Sequence, residues 1–183
     1  MQTTFEKVAA LNLAFGNEKG DLANPNVKAL RKQAQLCLEE ACEMMEAVYP
    51  GAKITWQWDD TATPPEKIKH VDMVALLDAQ GDLTTVNDGV AHVAGFDGNA
   101  CYDLVHESNM SKFISSEEDK IKALAYYYEL GFQPDDLYLH GSYPTMCIKV
   151  RRDIRLNGKF YPEGKFLKNM VTFKEPDFSN LLP

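Results

Sequence analysis

The stretch "VDMVALLDAQGDLTTVNDGVAHVAGFDG", residues 71 to 98, restricts the possible folds more than any other part of the chain. It reads as a long apolar helix from about Pro65 to Ala94, yet Asp78 and Asp82 stand one turn apart in its middle. At about 100° per residue these two acids fall on one stripe with Val71, Val74, Ala75, Val86, Gly89 and Val93. They point where a core is expected. An ionised carboxylate in apolar surroundings is costly unless it is paired or ligated. The basic residues nearest in sequence, Lys67 and Lys69, lie at the start of the helix, out of reach of Asp82. A lysine or arginine from another helix, or a metal ion, must balance the pair.

The preceding helix, about residues 26 to 49, has Asn24 and Pro25 as cap and first-turn signals and contains "CLEEACEMMEAV". Glu39, Glu43 and Glu46 fall on one side, and Leu30, Ala34, Cys37, Ala41 and Val48 on the other. Alone this is an ordinary solvated face, with Glu40 at its border beside Met44 and Cys37. Two acid-bearing helices in one small helical body suggest a carboxylate cluster for a hard cation, Mg²⁺ or Mn²⁺. A di-iron bundle requires Glu-x-x-His. None of His70, His92, His106 or His140 lies three residues after a Glu. There is no Gly-rich phosphate loop and no H-E-x-x-H.

Helical spacing also covers residues 3 to 15 and 115 to 130, the latter with an acidic first turn suited to the helix dipole. Between the two acidic helices runs a polar, proline-bearing connection with Trp56 and Trp58. Beyond about residue 142 the chain alternates and carries Asn157-Gly158, a strong hairpin signal. Met146 to Lys174 holds eight Lys or Arg against two acids. The expected fold is mainly α: a helical body over residues 1–145, with 113–145 as a candidate insertion, and a basic, extended, hairpin-containing arm over 146–183.

The formal net charge of -8 disfavours nucleic acid as a partner. No apolar run is long enough for a signal peptide or membrane span. Cys37, Cys42, Cys101 and Cys147 form no C-x-x-C pair, which suits free thiols in a reducing compartment. A cytoplasmic protein, in host cytoplasm if phage-encoded, is expected.

One polar constellation remains, "VHESNMSKF". Asn109, Ser111 and Lys112 leave a helix within a few residues of one another, offering donors and a cation for phosphate oxygens. A C-terminal cap with a solvated lysine fits the same residue types.

"EEACE" followed by "DAQGD" resembles the E-x-x-E … E-x-x-D pattern of the all-α nucleoside triphosphate pyrophosphohydrolases, the MazG-like superfamily. "DAQGDL…VAGFD…VHESNMSK" with "GKFLKNMVTFKEPDF" is similar to a phage and bacterial branch called phosphoribosyl-ATP pyrophosphohydrolase-like. The resemblance implies an all-α bundle in which Glu40, Glu43 and Asp82 bind Mg²⁺, with Glu39 in the same cluster, while Asn109 and Lys112 contact the triphosphate. Where the superfamily has a Glu three residues before the final Asp, this chain has Ala79. Asp78, still on the face of Asp82, is expected to substitute as ligand or base.

The implied reaction converts a nucleoside triphosphate and water into the monophosphate and pyrophosphate. A homodimer or homotetramer is implied, because such enzymes pair helices across subunits. The phage-like branch points to a purine deoxynucleotide, dGTP ahead of dATP, and Trp56 or Trp58 could stack on the base. Two alternatives are true phosphoribosyl-ATP hydrolysis in histidine biosynthesis and a metal-stabilised binding module without turnover.

Overall fold

The computed structural model describes residues 2–21, 24–48 and 72–182. The chain divides into two compact units, one formed by Met1–Lys19 with Val86–Pro183 and the other by Gly20–Thr85.

In the first unit, α1 (Thr4–Phe15) opens with a capping box. The Thr3 hydroxyl accepts from the Glu6 N–H, and the Glu6 carboxylate accepts from the Thr3 N–H. The helix stops at Gly16, at φ 84°. A Cβ there would sit 2.6 Å from His140 Nε2, so both conformation and space call for glycine. Helix α1 packs on α4 (Gly98–Met110), which Asp97 caps, and Lys7 pairs with Asp103 between them. Helix α5 (Glu117–Leu130) starts at Ser116 with three acids in its first turn, matching the sequence expectation.

The strands are β1 (Leu137–His140), β2 (Cys147–Val150), β3 (Ile154–Leu156), β4 (Lys159–Tyr161) and β5 (Phe166–Leu167). Strands β1, β2 and β5 form an antiparallel sheet with β2 in the centre, and β3–β4 form a separate hairpin. Asn157 and Gly158, at φ 52° and 78°, make its two-residue turn, as Asn-Gly foretells. Helix α5 supplies Ala123 and Tyr127 to a core shared with Ile114, Phe132, Leu137, Ile148, Val150 and Leu167. Beside it, Phe15 stacks at 5.1 Å on Phe113 and edge-on at 5.0 Å on Phe166. The Lys149 ammonium donates to the Phe15 carbonyl at 2.8 Å, tying the end of α1 to the central strand.

In the second unit, α2 (Val27–Val48) is capped by Asn26, whose side-chain oxygen accepts from the Ala29 N–H at 3.0 Å. The cap therefore lies two residues beyond the Asn24 expected from sequence. Helix α3 (Met73–Ala94) is capped by Asp72 and passes into the first unit at Val86. The expected stretch from Pro65 to Val71, and Trp56 and Trp58, lie outside the described residues.

The expectation of an all-α bundle is corrected: the fold is mixed, with two small antiparallel sheets beside the helices. Residues 137–140, read as part of a helical body, form an edge strand. Residues read as an extended arm supply Cys147, Ile148, Val150 and Leu167, all buried, to the core. The run "CIKV" is covered on both faces because β2 lies between two strands and beneath α5, a placement set by long-range pairing and not by local periodicity. Among the described residues, no helix is long and apolar enough to cross a membrane.

Candidate functional site

The five carboxylates singled out by sequence all belong to the second unit. Glu39, Glu40 and Glu43 lie on α2 and Asp78 and Asp82 on α3. All five side chains are exposed. On α3 the apolar positions sharing their helix are exposed too, with Val74 at 79%, Leu77 at 63% and Val86 at 63%. None of the described side chains of α2 or α3 is buried. Among the described residues, no core covers the face of α3 that carries Asp78 and Asp82. That relieves the desolvation cost that made the pair look anomalous.

These donors suit a hard divalent cation in kind, since all are carboxylate oxygens at helical spacing. Among the described residues, however, no three His, Cys, Asp or Glu side chains of a single chain come together around a common point. Asp78 and Asp82 are one turn apart on α3, and Ala79 is a neighbour on the adjoining face.

The other two site residues, Asn109 and Lys112, lie in the first unit, at the end of α4 and just beyond it. The α4 exit is locked by its own side chains. Ser111 Oγ donates to the Ser108 carbonyl at 2.7 Å, and the Lys112 ammonium donates to Asn109 Oδ1. The segment following β5 closes over it. The Asn169 N–H donates to the Lys112 carbonyl at 2.8 Å, and Asn169 Nδ2 donates to the Phe113 carbonyl at 3.2 Å. Thr172 Oγ1 donates to the Ser111 carbonyl at 2.9 Å, and the Lys174 N–H donates to Ser111 Oγ at 3.0 Å. Asn169 is fully buried, and its Oδ1 accepts from the Val171 N–H at 3.1 Å, so it pins both sides of the junction.

Residues 108–112 and 168–174, the two stretches that carry the SNMSK-and-tail likeness, thus mesh into one structure. On it, Lys168 stands 3.9 Å and Lys112 5.9 Å from the Phe173 ring centre. Burial, and then the nearby Lys168, hold the Lys112 ammonium below the ordinary lysine range, while Glu175 partly offsets them. Alongside lies a cavity of about 210 Å³ bordered by Leu104, Glu107, Ser108, Ser111, Lys174 and Glu175. Sequence reasoning selected Asn109 and Lys112 but left Asn169, Thr172 and Phe173 unassigned. The signal was present in "LKNMVTFKEP", whose mixed polarity does not fit a simple extended arm.

No family model and no solved structure matches the chain. It is similar to Uncharacterized protein L479 of Acanthamoeba polyphaga mimivirus, 31% identical over 99 residues. That alignment covers 51% of this chain and 34% of the viral protein, so the chain spans about a third of that relative's length.

Proposed function

We propose that this chain is a Mg²⁺-dependent nucleoside triphosphate pyrophosphohydrolase, acting on a deoxynucleotide and able to use Mn²⁺. The observation that carries the reading is the meshing of residues 108–112 with 168–174, which brings Lys112 and Lys168 to the same Phe173 ring in a chain of net charge -8. The exposed acids of α2 and α3 are oxygen ligands of the kind a hard divalent cation takes.

In this reading Glu40, Glu43 and Asp82, with Glu39 beside them, hold Mg²⁺, which when bound neutralises phosphate-oxygen charge. Asp78 orients the attacking water and accepts its proton. The water oxygen bonds to the α-phosphorus, the bond from that phosphorus to the bridging oxygen breaks, and pyrophosphate leaves. Asn109 and Lys112, in the first unit, are read separately as contacts for phosphate oxygens. The exposed Val74, Leu77 and Val86 on the acid-bearing helix support assembly with a second copy, which would bring further carboxylates to each cluster.

A metal-stabilised binding module without turnover is favoured by one feature, Ala79 where the superfamily pattern has a Glu. Incubation with Mg²⁺ and a panel of dGTP, dATP, other dNTPs, NTPs and phosphoribosyl-ATP, with pyrophosphate and phosphate quantified separately, tests both readings. Pyrophosphate with the matching monophosphate is expected. Phosphate as the released product refutes the proposed reaction, and no release from any substrate leaves the binding module.

A further inference from the structure

We infer that Lys168, brought beside Lys112 by the docked segment 168–174, is a second phosphate-binding cation, and that Lys112, Lys168 and Asn109 together form a seat for a polyphosphate chain. The inference rests on the reading of Lys112 as a phosphate contact and adds to it a residue far away in sequence.

Three features support it. First, among the described residues, neither lysine has a carboxylate within ion-pair distance: the ion pairs are Lys7–Asp103, Lys120–Glu117, Lys122–Glu118 and Arg152–Asp136. Second, both ammonium groups approach the same ring. Phe173 can attract a cation to its face, and at 3.9 Å Lys168 is well placed for that, but Lys112 at 5.9 Å is at the limit of useful range. One neutral ring does not cancel the repulsion between two cations, whereas a di- or trianion does. Third, the arrangement is fixed in advance. The Lys168 carbonyl accepts from the Tyr127 hydroxyl at 2.6 Å, and Asn169, the next residue, is buried and hydrogen-bonded to both sides of the junction. The backbone that carries Lys168 is held rigidly while its side chain remains exposed. Such preorganised cations raise affinity because little ordering remains to be done on binding.

Lys112 and Lys168 differ in role. Lys112 is half-buried and steered by Asn109 Oδ1, so its position is set by the α4 exit. Lys168 is exposed, and its position is set by the buried Asn169 next to it and by the Phe173 ring. The probe is inorganic tripolyphosphate, which carries the phosphate chemistry without base or sugar, titrated calorimetrically into the full-length protein without divalent metal. Sulfate at matched ionic strength controls for simple screening. Wild type is expected to bind tripolyphosphate in preference to sulfate. K168Q and K112Q should each weaken binding about tenfold, and K168R should retain most of it.

Circular dichroism melts identify any variant that has lost its fold, and K168R with its retained charge separates charge from packing. Wild-type affinity in folded K168Q overturns the inference, as does equal affinity of wild type for sulfate and tripolyphosphate. Loss of binding in K112Q with no change in K168Q overturns it while leaving the Lys112 assignment standing. Lys168-dependent tripolyphosphate binding in a protein that releases no pyrophosphate from any nucleotide sustains the seat and removes the proposed reaction.

Discussion

The Tyr127 hydroxyl donates to the Lys168 carbonyl at 2.6 Å, so the helix that roofs the small sheet is fastened to the segment that closes over the end of α4. Burial, chiefly, raises the Tyr127 phenol well above its ordinary value, with neighbouring Tyr126 and Tyr161 adding to it. The folded protein therefore keeps this proton when the unfolded chain loses it. Stability from this group is fully present below about pH 10, the unfolded tyrosine value, and is lost progressively above it. Tyr127→Phe should cost about 1 kcal/mol near neutrality. It should also shrink the alkaline loss of stability, measured by urea unfolding at pH 8 and pH 10.5.

Asp136 behaves in the opposite sense. Its Oδ2 accepts from the Gln133 N–H at 2.8 Å, and its Oδ1 accepts from Arg152 Nη2 at 2.6 Å and Nε at 3.1 Å. The backbone hydrogen bond first, and Arg152 second, hold its carboxyl below the usual range. Its stabilising effect is present above the unfolded carboxyl value of about 4 and disappears as pH falls through the lowered folded value. Asp136→Ala, which leaves these donors unmatched beside β1, should cost about 1–3 kcal/mol at pH 7. The gap to wild type should narrow in acid, as followed by denaturant unfolding from pH 7 down to pH 3.

Asn169 is the buried polar residue at the junction of the two motif-bearing stretches. Asn169→Ala removes the donor to the Phe113 carbonyl and the acceptor for the Val171 N–H. A loss of about 2 kcal/mol is expected. Hydrogen exchange should rise at the amides of residues 171–174 more than in β2. Uniform protection across both regions would show that Asn169 does not hold the junction.

For the acidic helices the expectation is a separation of stability from chemistry. Because Asp82 and Asp78 are exposed, Asp82→Asn and Asp78→Asn should each change unfolding free energy by less than about 0.5 kcal/mol. Under the proposed reaction, Asp82→Asn should abolish pyrophosphate release. Asp78→Asn, if Asp78 accepts the proton, should lower kcat by on the order of 100-fold or more with a smaller change in the Mg²⁺ concentration needed for half-maximal rate. Unchanged turnover in Asp82→Asn would remove that residue from the site.

Local signals in the sequence led to local features. Ser116 with its acidic followers announced α5, and Asn157-Gly158 announced the β3–β4 turn. Both depend on hydrogen bonds a few residues apart. The central sheet was not legible, because β1, β2 and β5 are two to four residues long and acquire meaning only when paired. The eight basic residues between Met146 and Lys174 suggested an arm on an acidic body. Instead, Lys149 ties down the end of α1 and Arg152 holds Asp136, so much of that charge is used within the fold. For the candidate site, helical projection correctly placed Asp78 and Asp82 on one face of α3. Whether a face is covered depends on what packs over it, and projection carries no information about that.

The first unit joins Met1–Lys19 to Val86–Pro183, which has a consequence for the order in which the protein can be made. Phe15 leaves the ribosome well before its ring partner Phe166, which lies 5.0 Å away in the finished structure. At roughly 5–20 residues per second, the interval between them is on the order of ten seconds. Throughout that interval, α1 waits without the sheet that receives it, and Phe113 joins it in exposure once made. Until Phe166 is made, the nascent chain thus presents aromatic surface that the sheet does not yet cover.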